Sequence, residues 1–293
     1  MVMVVIDDVS ELRRCLAPWR SNRPIALVPT MGNLHAGHLA LVREARRVAG
    51  RTLVSIFVNP MQFAPNEDFG SYPRTLERDR ELLEAEDADL LFAPSVQAVY
   101  PNGPQGRTRV EVPGLSNILC GASRPGHFAG VATVVCKLFN MTQPDIAVFG
   151  EKDFQQLLVI RRMVEDLYLP VEIRGAATVR EPDGLAMSSR NGYLSPQERV
   201  QAPVLYRALC RAGERLRQGL AADEVERMGA KNIAVAGLRS DYFSVRRASD
   251  LQPTTSSDRE LVVLTAAYLG ATRLIDNLRV SLTEPVPRTS AGA

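Results

Sequence analysis

Short apolar runs and amphipathic stretches take turns along the first 175 residues or so of the chain. Ile25-Ala26-Leu27-Val28 is an apolar run ending at Pro29, and Leu39 to Val48 follows with helical spacing. Thr52 to Val58 is β-branched and nearly all apolar, as a parallel strand covered on both faces must be. Thr75 to Ala85 reads as a charged amphipathic helix, with a short apolar run from Ala88 to Ala93 behind it. Ile146 to Phe149 predicts another strand, stopped by Gly150, and Phe154 to Leu167 another helix. Such alternation predicts an α/β fold, a Rossmann-like parallel sheet with helices on both faces and right-handed crossovers. Ligands of these sheets bind beyond the carboxyl ends of the strands, where the loops after Val28, Val58 and Phe149 gather.

The character changes after Val179. Arg180 to Ser195 is polar and contains glycine, and two helical stretches follow, Pro196 to Gln218 and Ala222 to Ala236. Apolar runs at Tyr242 to Val245, Leu261 to Ala267 and Thr272 to Leu278 complete a smaller α+β pattern. The expected organisation is a sheet domain over 1–175, an α+β domain over 176–283, and a Pro/Ser/Gly-rich tail over 284–293 that is expected to be disordered.

Composition narrows the classes. A length of 293 residues favours two domains, and 45% hydrophobic with 23% charged residues is the balance of an ordinary soluble protein. A net charge of +2 argues against a nucleic-acid surface. No run is long and apolar enough to span a bilayer, and Asp7, Asp8 and Glu11 disfavour a secretory signal, so the expectation is a cytoplasmic protein with no membrane partner. Cys15, Cys120, Cys136 and Cys210 form no C-x-x-C pair, so neither a zinc site nor a disulfide framework is expected. Only three of the 35 basic residues are lysines, and there are only three histidines, which makes their positions informative.

Two of those histidines fall in Pro29-Thr30-Met31-Gly32-Asn33-Leu34-His35-Ala36-Gly37-His38, between a strand and a helix. A strand-to-helix turn offers free N–H groups and the positive end of a helix dipole, which suits a phosphate. Gly32 and Gly37 let a nucleotide approach the backbone, and His35 and His38, three apart, can donate hydrogen bonds to phosphate oxygens that gain charge. A plain capping turn with incidental histidines is the other reading. Phe149-Gly150-Glu151-Lys152-Asp153 is a second such junction, where Lys152 can place a charge on a phosphate and Asp153 can accept from a ribose hydroxyl. Met187-Ser188-Ser189-Arg190 supplies two hydroxyls and a guanidinium, a clamp for a triphosphate tail or simply a surface turn. Gln62, just after the best strand, is placed to bind a small polar substrate. His35 and His38 alone make a poor metal site, having no acidic ligand close in sequence.

Together these motifs, with Phe57 to Phe63, Tyr72-Pro73-Arg74 and Arg124 to Val131, resemble the pantoate–β-alanine ligase family of the nucleotidyltransferase superfamily. The resemblance implies ATP-dependent joining of pantoate to β-alanine through a pantoyl adenylate, with AMP and pyrophosphate released and Mg2+ accompanying ATP. It places Met31, Gly32, Asn33, Leu34, His35, Ala36, Gly37, His38, Gly150, Glu151, Lys152, Asp153, Val179, Met187, Ser188, Ser189 and Arg190 at ATP. His38 takes the proton-donor position, with His35, Lys152 and Arg190 as the other catalytic groups. Gln62 and Gln156 would contact pantoate, and Gln62 also β-alanine. Val134 and Val135 would meet the pantoate methyls or equally pack in the core, and His127 would lie near the pantoate pocket or serve to order its own loop. Beside this, Asp79 is a candidate for an indirect role at Mg2+. The sheet domain would bind ATP and pantoate, the smaller domain would close over the ATP site, and the protein would be a homodimer. Ala36 stands where the family often has an acidic residue.

Overall fold

Val4–Ile6 (β1), Ile25–Thr30 (β2), Arg51–Ile56 (β3), Leu90–Phe92 (β4), Ile146–Gly150 (β5) and Glu172–Ala176 (β6) form one parallel sheet in the order β1-β4-β3-β2-β5-β6. The computed structural model describes residues 3–21, 24–64, 67–104, 106 and 108–282, so the tail at 284–293 lies outside the described residues. The central strands β2 and β3 are buried on both faces, which explains their unbroken apolar runs. Ala26, Val28, Val54, Leu91 and Val148 share a core cluster with Leu41, Val42 and Ala45 of a helix at Ala36–Val48. Their neighbours Leu27, Leu53, Leu90 and Ala147 are equally buried and point to the opposite face, as the two-residue period requires.

The helices of this unit are Val9–Leu16 (α1), Ala36–Val48 (α2), Leu76–Ala85 (α3), the single turns Val96–Val99 (α4) and Cys120–Ser123 (α5), His127–Thr142 (α6) and Phe154–Asp166 (α7). From β2 the chain winds outward through β3 and β4, and later returns on the other flank of β2 with β5. The direction of winding reverses between β2 and β5, and their carboxyl ends open a crevice there. That is where the histidine turn after β2 and the lysine junction after β5 meet.

By its internal contacts the chain divides into two compact units. Among the described residues, the first runs to Pro182 and takes in Ala186–Gly192; the second comprises Asp183–Leu185 and the residues from Tyr193 to Leu282. In the second, Pro196–Gln201 (α8), Val204–Arg217 (α9) and Ala222–Val235 (α10) accompany an antiparallel sheet of Arg239–Arg247 (β7), Glu260–Leu269 (β8) and Thr272–Ser281 (β9). The helical stretch from Pro196 breaks at Pro203, which has no N–H to continue the ladder. The inner faces of α9, α10 and the sheet close a separate core around Leu205, Leu209, Ile233, Phe243 and Val263.

Candidate active site

The turn after β2 is built by side chains that bond to backbone. Thr30 donates its hydroxyl to the Ser55 carbonyl (2.9 Å) and accepts from the Gly32 N–H (3.2 Å). Gly32 and Asn33 then take left-handed φ values of 82° and 51°, reversing the chain. The freed N–H groups of Asn33 and Leu34 both donate to Asp79 of α3, at 2.8 Å each, and Thr75 donates to the same carboxylate at 3.1 Å. Asp79 is 1% exposed, so its carboxylate serves the turn. Holding the turn is a different role from the indirect one at Mg2+ expected for Asp79. A side chain on Gly32 would start 3.1 Å from an Asp79 oxygen, so the position needs glycine for space as well as for φ.

His35 then caps α2 in an unusual way. Its Nδ1 accepts from the Gly37 N–H at 3.1 Å, while the His38 Nδ1 accepts from the His35 backbone N–H at 3.4 Å. This is a reciprocal capping box made of two imidazoles. With both Nδ1 atoms accepting, each neutral ring carries its proton on Nε2 and has that N–H left to donate. The rings lie 4.1 Å apart, and a side chain on Gly37 would fall 2.9 Å from the His35 ring. Gly37 therefore makes room for His35.

Burial lowers the His35 pKa to about 4, helped by the Lys152 charge and opposed by Asp153. Burial, then His35, then Lys152, push His38 down to about 3. Both are neutral at physiological pH. Each binds its proton more weakly folded than unfolded, so between pH 6.5 and about 4 the unfolded chain takes up protons that the native state refuses. Stability is then fully present above pH 6.5 and falls with pH, each histidine adding a slope of up to about 1.4 kcal/mol per pH unit. Urea unfolding at pH 7.5 and pH 5 should show the loss, and a His35→Gln, His38→Gln double variant should show less of it. Equal pH sensitivity in the two proteins would mean that these rings are not the source.

Met31, His35, Gly37, His38, Gln62, Gly150, Lys152, Asp153, Gln156, Val179 and Met187–Arg190 line one cavity of about 220 Å³, all of them in the first unit. The remaining sequence candidates lie around it. Gly32 and Leu34 are buried behind the turn, Asn33 gives its N–H to Asp79, and Ala36 is exposed at the first helical position. Glu151 turns toward β6, its side chain 3.1 Å from where a Gly175 Cβ would stand. The Met187–Arg190 segment is pinned: Met187 N–H bonds the Val179 carbonyl, Ser189 donates to the Asn33 carbonyl at 3.2 Å, and Arg190 pairs with Asp68 at 2.9 Å.

The same cavity has an apolar wall. Val131, Val134, Val135 and Leu138 present one face of α6 at spacings of three and four, beside Phe57 and Phe149. Gln62 ends a 3-10 turn, Pro60–Gln62, governed by the buried Asn59. Asn59 Oδ1 accepts from the Met61 N–H (3.2 Å) and the Tyr100 hydroxyl (2.9 Å), while Nδ2 donates to the Gly130 carbonyl (3.1 Å) and Gln62 Oε1 (3.2 Å). The Gln62 amide nitrogen in turn approaches the Met31 sulfur at 2.9 Å. Helix α6 packs so closely here that a Gly130 side chain would begin 2.3 Å from the Met61 carbonyl. His127 is absent from the lining of this cavity and borders a smaller one of about 130 Å³.

Neutral N–H donors, a lysine and an apolar wall at the switch point of a parallel sheet define an α/β enzyme site for a phosphate-bearing substrate with an apolar portion. The family model described as pantoate-beta-alanine ligase matches residues 4–279. The chain is 56% identical over 280 residues to the pantothenate synthetase of Idiomarina loihiensis, covering 95% of this chain and 98% of that protein. It is also 56% identical to the Pseudomonas aeruginosa enzyme, over 96% of this chain and all of the other. The solved pantothenate synthetase of Thermus thermophilus superposes with a TM-score of 0.88 at 50% identity, covering 94% of this chain and 99% of that one. A Francisella tularensis pantoate-beta-alanine ligase, solved as a complex with beta-gamma ATP and beta-alanine, gives 0.80 at 34%, covering 94% and 97%. The chain belongs to the pantoate–β-alanine ligase family.

Proposed function

We propose that the enzyme joins pantoate to β-alanine in two displacements, with ATP activating the acid. A pantoate carboxylate oxygen attacks the α-phosphorus, the bond to pyrophosphate breaks, and pantoyl adenylate forms. The neutral amine of β-alanine then attacks the acyl carbon, AMP leaves, and the nitrogen loses a proton to give the amide. The observation that carries this reading is the imidazole capping box, which holds two Nε2–H donors on the cavity that also contains Lys152.

A carboxylate is a poor acyl donor because oxide does not leave, and adenylation supplies a leaving group. Displacement at phosphorus asks the protein for alignment and for donors where charge develops. His35, His38, Lys152 and Arg190 fill that role, with Ser188 and Ser189 at the phosphate tail and Asp153 at the ribose. Met31 and the backbone from Gly32 to Gly37, with Gly150, Glu151, Val179 and Met187, complete the ATP site. Gln62 and Gln156 take the polar groups of pantoate, Val134 and Val135 its methyls, and Gln62 also meets β-alanine. Neutral His38 acts as a hydrogen-bond donor at phosphate.

Among the described residues no group of three or more His, Cys, Asp or Glu converges on a common point, and Asp153 is the carboxylate that lines the cavity. That donor set fits Mg2+ carried in on the triphosphate with its own waters, where it would neutralise phosphate charge. The same reading makes the enzyme a cytoplasmic homodimer, and no helix among the described residues is long and apolar enough to cross a membrane.

Incubation with ATP, Mg2+, β-alanine and pantoate labelled with 18O in its carboxylate tests the scheme. Pantothenate, AMP carrying one 18O and unlabelled pyrophosphate are expected. Label in inorganic phosphate, with ADP formed, would replace the adenylate by an acyl phosphate, and product-free incubations would end the proposal.

A further inference from the structure

Gln62 is gripped twice, once at its carboxamide by Asn59 and once at its backbone carbonyl by two side chains from the Arg124–Val131 segment. We propose that Glu67, Arg124 and His127 are positioning residues that clamp the Gln62 carbonyl and so hold its carboxamide in the substrate cavity. This inference rests on the ligase reading for what Gln62 binds, and on geometry alone for the clamp.

The hydrogen-bond directions follow from donor chemistry. Arg124 Nη1 lies 3.0 Å from His127 Nε2, and a guanidinium can only donate, so Nε2 accepts and the ring proton sits on Nδ1. That Nδ1–H points at the Gln62 carbonyl oxygen at 2.7 Å, and Arg124 Nη2 reaches the same oxygen at 3.4 Å. The same guanidinium grips Glu67 in a two-point pair, Nε at 2.5 Å and the shared Nη2 at 2.6 Å. Every member is engaged, and both ring nitrogens of His127 are spent. Burial and the adjoining Arg124 charge lower the His127 pKa to about 4, so the neutral form this pattern needs prevails at physiological pH.

With no free lone pair or proton, His127 has nothing to offer a substrate, which excludes acid–base work. Its place as first residue of α6 ties the clamp to the helix that carries the apolar wall. Gly130, one turn on, lets that helix touch the Met61 carbonyl and the Gln62 nitrogen. Fixing a glutamine side chain costs conformational entropy in lost rotamers. Setting it before substrate arrives removes that cost from binding, as preorganisation does.

The test uses full-length protein labelled with 15N-glutamine, the Gln62 side-chain NH2 signals being assigned by their disappearance in Gln62→Asn. His127→Ala should move those signals toward free-carboxamide positions and raise KM for pantoate at least tenfold, with KM for ATP within twofold. His127→Asn, whose amide nitrogen stands near the lost Nδ1, should restore both. Unmoved Gln62 signals in His127→Ala, or KM values for ATP and pantoate that rise together with a lowered Tm and no rescue by asparagine, would overturn the clamp. If His127→Ala does not fold, Arg124→Lys, which keeps the charge beside Glu67 and loses the fork, must shift the same signals or the inference fails. The NMR reading needs no turnover, so it separates failure of the clamp from failure of the ligase reading, which shows as wild-type protein making no pantothenate.

Discussion

His38→Ala is expected to lower kcat by about a hundred- to a thousandfold while the far-UV spectrum and the apolar core stay as they are. The magnitude is that of deleting one preorganised donor at a centre of developing negative charge. His38 sits in the first turn of α2, and its Nδ1 takes up the His35 N–H only at 3.4 Å, so the folding cost of losing that bond is small beside the catalytic one. His38→Gln separates two roles for the ring. Its amide nitrogen lies close to where Nε2 was, so it keeps a donor and has no titratable proton. If donation to phosphate is the function, glutamine should recover activity to within about tenfold of wild type. If a proton must be delivered, glutamine should be as slow as alanine. A pKa near 3 favours the first outcome, because the imidazolium is scarce at any pH where the enzyme would work. Turnover of His38→Ala close to that of wild type would remove the ring from the mechanism altogether.

The sheet was legible where burial imposed a pattern. β2, β3 and β5 are covered on both faces, and their apolar runs end where the strands do to within two or three residues. Helix α6 was not legible for a related reason. Twelve of its sixteen residues are buried, so it shows no polar face and no amphipathic period, and its start at Gly126 uses a left-handed glycine without a side-chain cap. Strand β1 is three residues long, and the edge strand β6 is mostly part-exposed and mixed in composition, so neither builds an apolar run. At the site, the residues that offer groups to a ligand could be found from their rarity, two of three histidines and one of three lysines. The residues that hold them could not. Asn59 and Glu67 look like ordinary polar positions until the fold brings Gly130 and Arg124 beside them. Asp79 did leave a trace: it stands four residues before Leu83, and the face of α3 that the two share is the buried one.

That carboxylate carries the other large expectation. Asp79→Ala removes the acceptor for two backbone N–H groups at 2.8 Å and a hydroxyl at 3.1 Å, in a place where water has little access. A hydrogen bond to a buried charge contributes about 1.5–3 kcal/mol, so the loss of both backbone bonds should destabilise the protein by roughly 3–6 kcal/mol. The turn they close is left-handed at two successive residues, a conformation open to glycine and asparagine that the bonds to Asp79 hold in place. Released, it should relax toward ordinary φ values and carry His35 out of its capping position, so KM for ATP should rise tenfold or more. Asp79→Asn is the sharper variant, since it has the same shape but turns one acceptor into a donor facing an N–H. One of the two backbone bonds survives at best, and the effect should fall between wild type and alanine on both measures. Urea unfolding and ATP saturation curves of the two variants decide it. Stability that falls with KM for ATP unchanged would show that the histidine turn keeps its shape without Asp79, and that its order comes from Thr30 and Gly32 alone.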